Sequence, residues 1–229
     1  MANPKASRRV VDLSHRVTND LRVYPGIPAP RISAFLTHEA SRARYESQCE
    51  LLFSQVNIVA GVGTYLDSPY HRDPALPDFA TLPLASVVDV PGLMIDVRER
   101  PERAIRPDDL GTGDWAGCAV VLRTGMEESW ETDPYWDTSP FLSADTAAAL
   151  CERGIALLGV DFLNVDDVTD PRRPVHTQLL RACVPIVENL CNVGALPAKG
   201  FRLHAAPAPL VGVASFPIRA YAVVDETPA

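Results

Sequence analysis

The sequence lacks the excess of basic residues that a nucleic-acid-binding surface needs. Its 229 residues contain 21 lysines and arginines against 29 aspartates and glutamates, so the formal net charge is −8. The pI is near 5.1. A protein that binds the phosphate backbone needs a basic footprint. We therefore expect no nucleic-acid partner.

The sequence also lacks C-x-x-C pairs and long apolar runs. Its five cysteines are odd in number, and four of them have apolar neighbours, which predicts buried reduced thiols. The first ten residues, MANPKASRRV, have no apolar signal-peptide core, and no uninterrupted apolar stretch could span a bilayer. These absences predict a protein of the reducing cytoplasm with no membrane partner.

Apolar strands around one clear helix predict an α/β fold. The helix covers 143–153, with Ser143 as N-cap and Gly154 ending it. Apolar stretches at 118–122 and 155–160 flank it, which is the pattern of a βαβ unit. Further strands are predicted at 10–13, 31–37, 45–59, 184–187, 201–203 and 217–224, and at 87–97 with a turn at Pro91-Gly92. No linker or repeat interrupts the chain, so residues 1–229 predict one compact domain with a mixed, strand-rich sheet.

The most informative stretch is 60–74, which reads AGVGTYLDSPYHRDP. Its glycines and prolines argue against a regular helix, so we predict an extended, turning segment. Residues two apart then share a face, which carries Gly61, Gly63, Tyr65, Asp67, Pro69 and His71. That face combines a phenol, a carboxylate and an imidazole. In isolation, Asp67 is expected to cap a turn and His71 to be a surface histidine.

Two further polar residues stand in apolar surroundings. Glu188 interrupts the apolar stretch VPIVENLCNV. A buried carboxylate there must be paired, hydrogen-bonded or bound to metal, because burying an unpaired charge costs on the order of several kcal/mol. A structural role, such as pairing with Arg219, is the alternative to a functional one. His176 opens the stretch HTQLLRACV, where a histidine is ordinarily just an early helix residue.

An acidic run begins where the strand 155–160 ends. Asp161 stands at the carboxyl end of that strand, where α/β sheets place their ligand clefts, although capping the next turn is the simpler role. Asp166, Asp167 and Asp170 are expected to be solvated. Five aromatic residues could line a pocket or equally fill the core: Trp115, Trp130, Tyr135, Trp136 and Phe141.

Taken together, these residues resemble the bacterial cyclase-type hydrolases that include kynurenine formamidase and isatin hydrolase. The hallmark of that family reads H-x-G-T-H-x-D-x-P-x-H, and residues 61–71 read GVGTYLDSPYH. The resemblance covers nearly the whole chain through VVDLSHRV, VYPGIP, VLRTG, LLGVD, IVENLCNV and PLVGVASFPIRAYAV. It implies a swivelling β/α fold, a hydrolase acting on a cyclic or N-formyl amide or a lactone, and assembly into homodimers or homotetramers.

The resemblance also implies roles for site residues. Asp67, His176 and Glu188 correspond to retained metal ligands, and His71 to the residue that transfers protons. Gly61 and Tyr65, however, stand where two histidine ligands are expected. Glycine offers no ligand, and a neutral phenol with a pKa of about 10 is a poor one. The remaining histidine and two carboxylates suit manganese or magnesium better than zinc.

Three functions are consistent with these residues. The first is a hydrolase in which one divalent metal (Mn, Zn or Mg) polarises a carbonyl and His71 moves the proton. The second is a metal-free cyclase, dehydratase or isomerase, with Tyr65 as hydrogen-bond donor and His71 or Glu188 as base. The third, a non-catalytic binding protein, is disfavoured because Asp67, His71, His176 and Glu188 are all present. All three imply a small-molecule ligand and no organic cofactor.

Overall fold

The computed structural model describes residues 8–100 and 102–225. Its centre is one nine-stranded sheet with the order β1-β13-β11-β5-β7-β9-β10-β4-β12. The thirteen strands are β1 Arg8–Asp12, β2 Arg31–Leu36, β3 Phe53–Asn57, β4 Tyr65–Asp67, β5 Val90–Asp96, β6 Ala104–Ile105, β7 Ala119–Arg123, β8 Phe141–Leu142, β9 Leu157–Val160, β10 Ile186–Glu188, β11 Lys199–His204, β12 Ser215–Pro217 and β13 Tyr221–Asp225.

The helices are short. The described residues form four α-helices: α1 His38–Arg44, α2 Asp133–Asp137, α3 Ala144–Glu152 and α4 Pro174–Arg181. Single 3-10 turns occur at Pro69–His71, Leu84–Ser86, Pro107–Leu110, Met126–Ser129 and Val193–Ala195. Within the described residues, none of the helices has the length and apolar character needed to cross a bilayer.

The middle of the sheet is parallel and its margins are antiparallel. Strands β5, β7, β9 and β10 run parallel, whereas β4 and β12 extend the sheet antiparallel beyond β10. Helix α3 connects β7 to the parallel β9, which confirms the predicted βαβ unit. Ser143 caps α3 by accepting from Thr146 N at 3.2 Å, as predicted. The α/β fold with a mixed, strand-rich sheet is therefore confirmed.

The core lies on both faces of the parallel strands, because side chains alternate across a strand. One face packs against α3 and α4 through Val120, Leu122, Leu158, Val160, Ala147, Leu150, Leu179 and Leu180. The other face carries Ala119, Val121, Leu157, Leu66, Val187 and Phe201. With both faces covered, these strands are apolar along most of their length, and the charged residues Asp96, Arg123 and Glu188 stand at their carboxyl ends.

Three local predictions are wrong. The stretch 217–224 is not one strand: it divides between β12 and β13, which lie near opposite ends of the sheet. The stretch 87–97 has no turn at Pro91-Gly92: β5 runs through both residues, and the Phe201 ring on β11 lies over Gly92, where a Cβ would be only 2.0 Å from it. Of the predicted strand 45–59, only Phe53–Asn57 is a strand. That strand pairs solely with β2, so these two form a separate two-stranded arm.

The cysteines also differ from expectation. Cys49 and Cys183 are exposed, and Cys118, Cys151 and Cys191 are partly exposed; all five are free thiols. The prediction of fully buried thiols was wrong: Cys151 packs at the margin of the core from α3, and the other four cysteines lie in loops or next to the ends of strands and helices.

Candidate active site

Strand pairing brings three of the predicted residues together. β4 runs antiparallel to β10 with Tyr65 directly opposite Glu188 and Asp67 opposite Ile186. Residues opposite each other on paired strands project to the same face, and Asp67 is two positions from Tyr65. The sheet register therefore places the phenol and both carboxylates side by side. All three residues are buried.

His176 reaches this group from α4, which packs on the same face of the sheet. Its Nε2 lies 3.5 Å from Asp67 Oδ2 and 3.8 Å from Glu188 Oε1. One ligand atom from each of these three residues lies within 4.8 Å of the others. Oδ1 of Asp67 is buried and has no hydrogen-bond partner within 8–100 and 102–225. An unsatisfied buried carboxylate oxygen beside a free imidazole nitrogen fits a divalent metal, which would satisfy both.

Asp166 holds the His176 ring in place. Its Oδ2 is 2.6 Å from His176 Nδ1, and its two oxygens accept the backbone amides of Val175 and His176 at the start of α4. An imidazole bonded through Nδ1 to a carboxylate directs Nε2 at the floor of the site, which is the arrangement that orients metal-binding histidines. The prediction that Asp166 is solvated was wrong, since it is 1% exposed.

Glu188 is held from two sides. Its Oε1 accepts the backbone N–H of Val165 at 2.6 Å, and its Oε2 accepts the hydroxyl of Tyr65 in a short hydrogen bond. The predicted alternative partner, Arg219, instead pairs with Asp12 at 2.6 Å. Glu188 thus keeps Oε1 facing His176 and has no arginine or lysine partner among the described residues.

The buried groups have shifted pKa values. Desolvation raises the pKa of Glu188 to about 7. For His176, burial alone lowers the pKa, but the bonds to Asp166 and Asp67 outweigh it and raise the pKa to about 10. Burial raises the pKa of Tyr65 well above its ordinary value of 10, with the charge of Glu188 adding to the effect. Tyr65 therefore remains a neutral phenol and a hydrogen-bond donor.

The predicted extended segment is shorter than expected, but its residues meet. Only Tyr65–Asp67 is a strand, and Pro69–His71 forms a 3-10 turn, which proline favours at its first position. His71 is exposed, and its ring centroid lies 6.0 Å from that of His176. Gly61, Gly63, Tyr65, Asp67 and His71 all line one cavity. The backbone at Gly61 has φ +79°, a conformation that side-chain-bearing residues rarely adopt.

This cavity has a volume of about 300 Å³. Its floor is Tyr65, Asp67 and His176. Helix α2 contributes Trp136 to the walls, and loops contribute Arg22, Tyr24, Ile27, Arg72, Trp130, Leu163, Asn164, Arg173 and Asn189. The volume is at the small end of ligand pockets. Of the five aromatic candidates, Trp130 and Trp136 line it.

The other three aromatic candidates do not line the cavity. Trp115 is buried beneath Arg153, whose guanidinium lies 3.8 Å from its ring centroid. Tyr135 is fully buried, and Phe141 lies beneath Arg103. Asp161 also lies outside: it accepts the N–H and hydroxyl of Thr124 and the N–H of Gly125, so it fixes the turn after β7. This role is structural, but the turn is the one after β7 and not the next turn after β9 that was expected.

Asn189 is a site residue that the sequence did not reveal. It follows Glu188 in a left-handed conformation (φ +59°). Its side chain donates to Gly63 O at 2.8 Å and accepts from Tyr135 at 2.6 Å, and its carbonyl accepts from Thr64 Oγ1 at 2.5 Å. It thereby ties the glycine segment before β4 to the end of β10. An asparagine directly after the buried glutamate was the available signal.

Comparison with known proteins agrees with this architecture. The Cyclase family model matches residues 11–167, which is more than half of the chain. A kynurenine formamidase from Salinibacter ruber is 28% identical over 211 residues, covering 92% of this chain and 95% of that protein.

Solved structures share the fold. Isatin hydrolase A from Labrenzia aggregata, bound to benzyl benzoate, superposes with a TM-score of 0.81 at 22% identity, covering 96% of this chain and 94% of the other. A structure described as a potential metal-dependent hydrolase with cyclase activity has a TM-score of 0.73 at 23% identity, covering 97% and 100%. The resemblance noted in the sequence is confirmed: the chain belongs to the Cyclase family.

Proposed function

We propose that this protein is a metal-assisted hydrolase that cleaves a formyl or cyclic amide bond. The observation that carries the proposal is the buried set of Asp67, His176 and Glu188, in which His176 Nε2 faces both carboxylates and Asp67 Oδ1 has no hydrogen-bond partner among the described residues. The curated relatives are named kynurenine formamidases, and fold neighbours include isatin hydrolases. Both names describe hydrolysis of a C–N bond outside peptides.

Asp67, His176 and Glu188 would hold the metal. When bound there, a divalent ion supplies Lewis-acid polarisation of the substrate carbonyl and activation of water. Manganese and magnesium suit a set of two carboxylates and one imidazole better than zinc does.

The remaining residues position groups and move protons. Asp166 accepts a hydrogen bond from His176 Nδ1, which directs Nε2 at the carboxylates of Asp67 and Glu188, and Nε2 would release its proton on binding the metal. Tyr65 donates to Glu188 Oε2 and so holds that carboxylate with Oε1 inward. His71 stands at the side of the cavity near His176, where its imidazole can deliver a proton to the departing nitrogen.

Metal analysis and chelation test this proposal. We expect protein purified without chelator to hold about one equivalent of divalent metal and to hydrolyse formanilide, with activity lost after chelation and restored by manganese. Less than about a tenth of an equivalent, together with hydrolysis that a strong chelator does not affect, would contradict the metal-dependent reaction.

A metal-free acid–base reaction is the second candidate, because Tyr65 and Glu188 share a short buried hydrogen bond in the same cavity. Here Tyr65 would donate to a developing oxyanion, and His71 or Glu188 would act as base in a cyclisation, dehydration or isomerisation. The Tyr65 hydroxyl would have to leave Glu188 to do so. Unchanged turnover in both Tyr65→Phe and His71→Ala would rule this reaction out.

We also propose that the protein assembles with copies of itself through the arm formed by β2, β3 and α1. A two-stranded sheet is marginally stable alone, and four large apolar side chains of this arm are exposed: Ile32, Phe35, Phe53 and Val56. Light scattering should show a dimer or tetramer that Phe35→Ser dissociates. Val211→Ser, which removes an equally exposed apolar side chain outside the arm, should leave the assembly intact. A monomeric wild-type protein would contradict this.

The five unpaired cysteines support a reducing compartment, and we propose the cytoplasm.

A further inference from the structure

The solvent-exposed rim of the cavity, called the mouth below, is basic, although the chain as a whole is acidic. Three arginines line it, Arg22, Arg72 and Arg173, in a protein with a net charge of −8. Arg22 is already engaged: its guanidinium contacts Asp133 at 2.7 Å and lies 5.2 Å from the centroid of Trp136. It acts as part of the wall. The other two arginines differ from it.

Arg72 and Arg173 have no carboxylate partner within the described part of the chain. Arg72 donates to the carbonyl of Arg172 at 3.2 Å, and Arg173 donates to Asn164 Oδ1 at 3.2 Å. Each guanidinium has five N–H donors, so most of these donors remain available. The nearby Asp170 is taken by Arg172, which contacts both of its oxygens.

The backbone places these two arginines on the same edge of the cavity. The Arg172 carbonyl that binds Arg72 belongs to the peptide bond leading into Arg173. Arg173 has φ +49°, an uncommon backbone conformation for an arginine, and it is the residue immediately before α4. His176 lies three residues further along. The edge is therefore connected through α4 directly to the cavity floor.

We propose that Arg72 and Arg173 form an anion-binding subsite that takes the carboxylate of an aromatic substrate. This rests on the proposed function, because it defines which amides the site would accept. A guanidinium binds a planar carboxylate through paired hydrogen bonds. Trp130 and Trp136 line the same cavity and provide flat apolar surface for a ring. The buried carboxylates of the floor disfavour ligands of higher negative charge.

Equilibrium binding tests the subsite without requiring turnover. Phenylacetate and phenylacetamide have nearly the same shape, and only the first is charged. Quenching of tryptophan fluorescence should show that wild-type protein binds phenylacetate about tenfold to a hundredfold more tightly than the amide. The double variant Arg72→Gln/Arg173→Asn should bind both equally; asparagine is chosen because it tolerates the left-handed backbone at 173.

Arg172→Asn is the matched control. Arg172 is adjacent in sequence and carries the same charge, but its side chain is 84% exposed and paired with Asp170. This variant should keep the wild-type preference. Raising the salt concentration should also weaken the preference of wild-type protein, which gives a second measurement that needs no variant.

Two results would overturn the subsite. One is equal affinity of the wild-type protein for acid and amide. The other is a preference that persists in the double variant, because the carboxylate would then be binding at the floor. Failure of the proposed hydrolysis would look different: formanilide and 3-formamidobenzoate would both go unhydrolysed, while the binding preference remained.

Discussion

The floor and the mouth of the cavity are built in opposite ways. Tyr65 and Asp67 of the floor and the adjoining Glu188 sit on paired strands, and the ladder between β4 and β10 sets their spacing. The mouth residues, such as Arg72, Trp130 and Arg173, come from loops and from the single turns beside them. A scaffold of this kind separates reaction from recognition, since loops change with little effect on the sheet.

Removing the charge of Glu188 should have the largest effect. Glu188→Gln keeps the shape and can still accept from Tyr65, but it loses a negative ligand. Because a bound metal supplies several kcal/mol of transition-state stabilisation, we expect kcat/KM for formanilide to fall about a thousandfold. The control Glu39→Gln, at an exposed position on α1, should leave kcat/KM for formanilide unchanged. Activity of Glu188→Gln within about tenfold of wild type would place the reaction elsewhere.

The next effect concerns the support beneath the floor. Asp166→Asn should retain an acceptor for the amides at the start of α4 but weaken the bond to His176 Nδ1. Removing such a partner typically costs about 10- to 100-fold in metal affinity. Manganese titration of the apoprotein measures this, with Asp167→Asn as the control in the same loop. Equal manganese affinities of both variants would show that Asp166 serves only to cap α4.

The smallest effect lies at the mouth and depends on pH. His15 stacks on Trp130 with ring centroids 3.9 Å apart, and burial lowers its pKa from 6.5 to about 4. As the pH falls through 6.5, the unfolded chain takes up the proton first, so stability is lost between pH 6.5 and about 4. Since the ring is partly exposed, we expect a cost of about 1 kcal/mol.

Thermal unfolding at about pH 7 and about pH 4.5 measures this contribution. The fall in Tm from the higher to the lower pH should be about 2–4 °C smaller in His15→Phe than in wild type. His38→Phe, on the exposed face of α1, should behave as wild type. An identical fall in Tm for His15→Phe would mean that the stacked ring accepts its proton without cost.

The sequence predicted the floor far better than the mouth. Glu188 stands out as a carboxylate inside an apolar stretch. Asp67 and His176 looked like ordinary turn and helix residues, and only the family resemblance singled them out as ligands. Asp166 was missed because it lies in an acidic loop, where three neighbouring aspartates look alike. Only the contact with His176 separates it from Asp167.

The mouth was hidden for a different reason. Arg72 and Arg173 are 101 positions apart and share no periodicity. They meet because α4 packs beside the turn Pro69–His71, and one hydrogen bond then joins Arg72 to a backbone carbonyl. Trp130 and Trp136 could be proposed as walls, but nothing in the sequence distinguished them from Trp115, which lies in the core. For the fold, the apolar pattern of the sequence predicted the βαβ unit. It did not predict that β2 and β3 form a separate arm, because their sequences resemble those of strands in the main sheet.

Because Tyr65 on β4 pairs directly with Glu188 on β10, these two strands cannot gain or lose a residue without changing the site. A strand shifted by one residue turns every side chain to the other face, so a slip of β4 would bring Leu66 opposite Glu188 and send both Tyr65 and Asp67 out of the cavity. A single-codon insertion or deletion within 65–67 or 186–188 would therefore abolish the site in one step. The loops at the mouth carry no such restriction, and new specificities can arise there by changes in length as well as in residue.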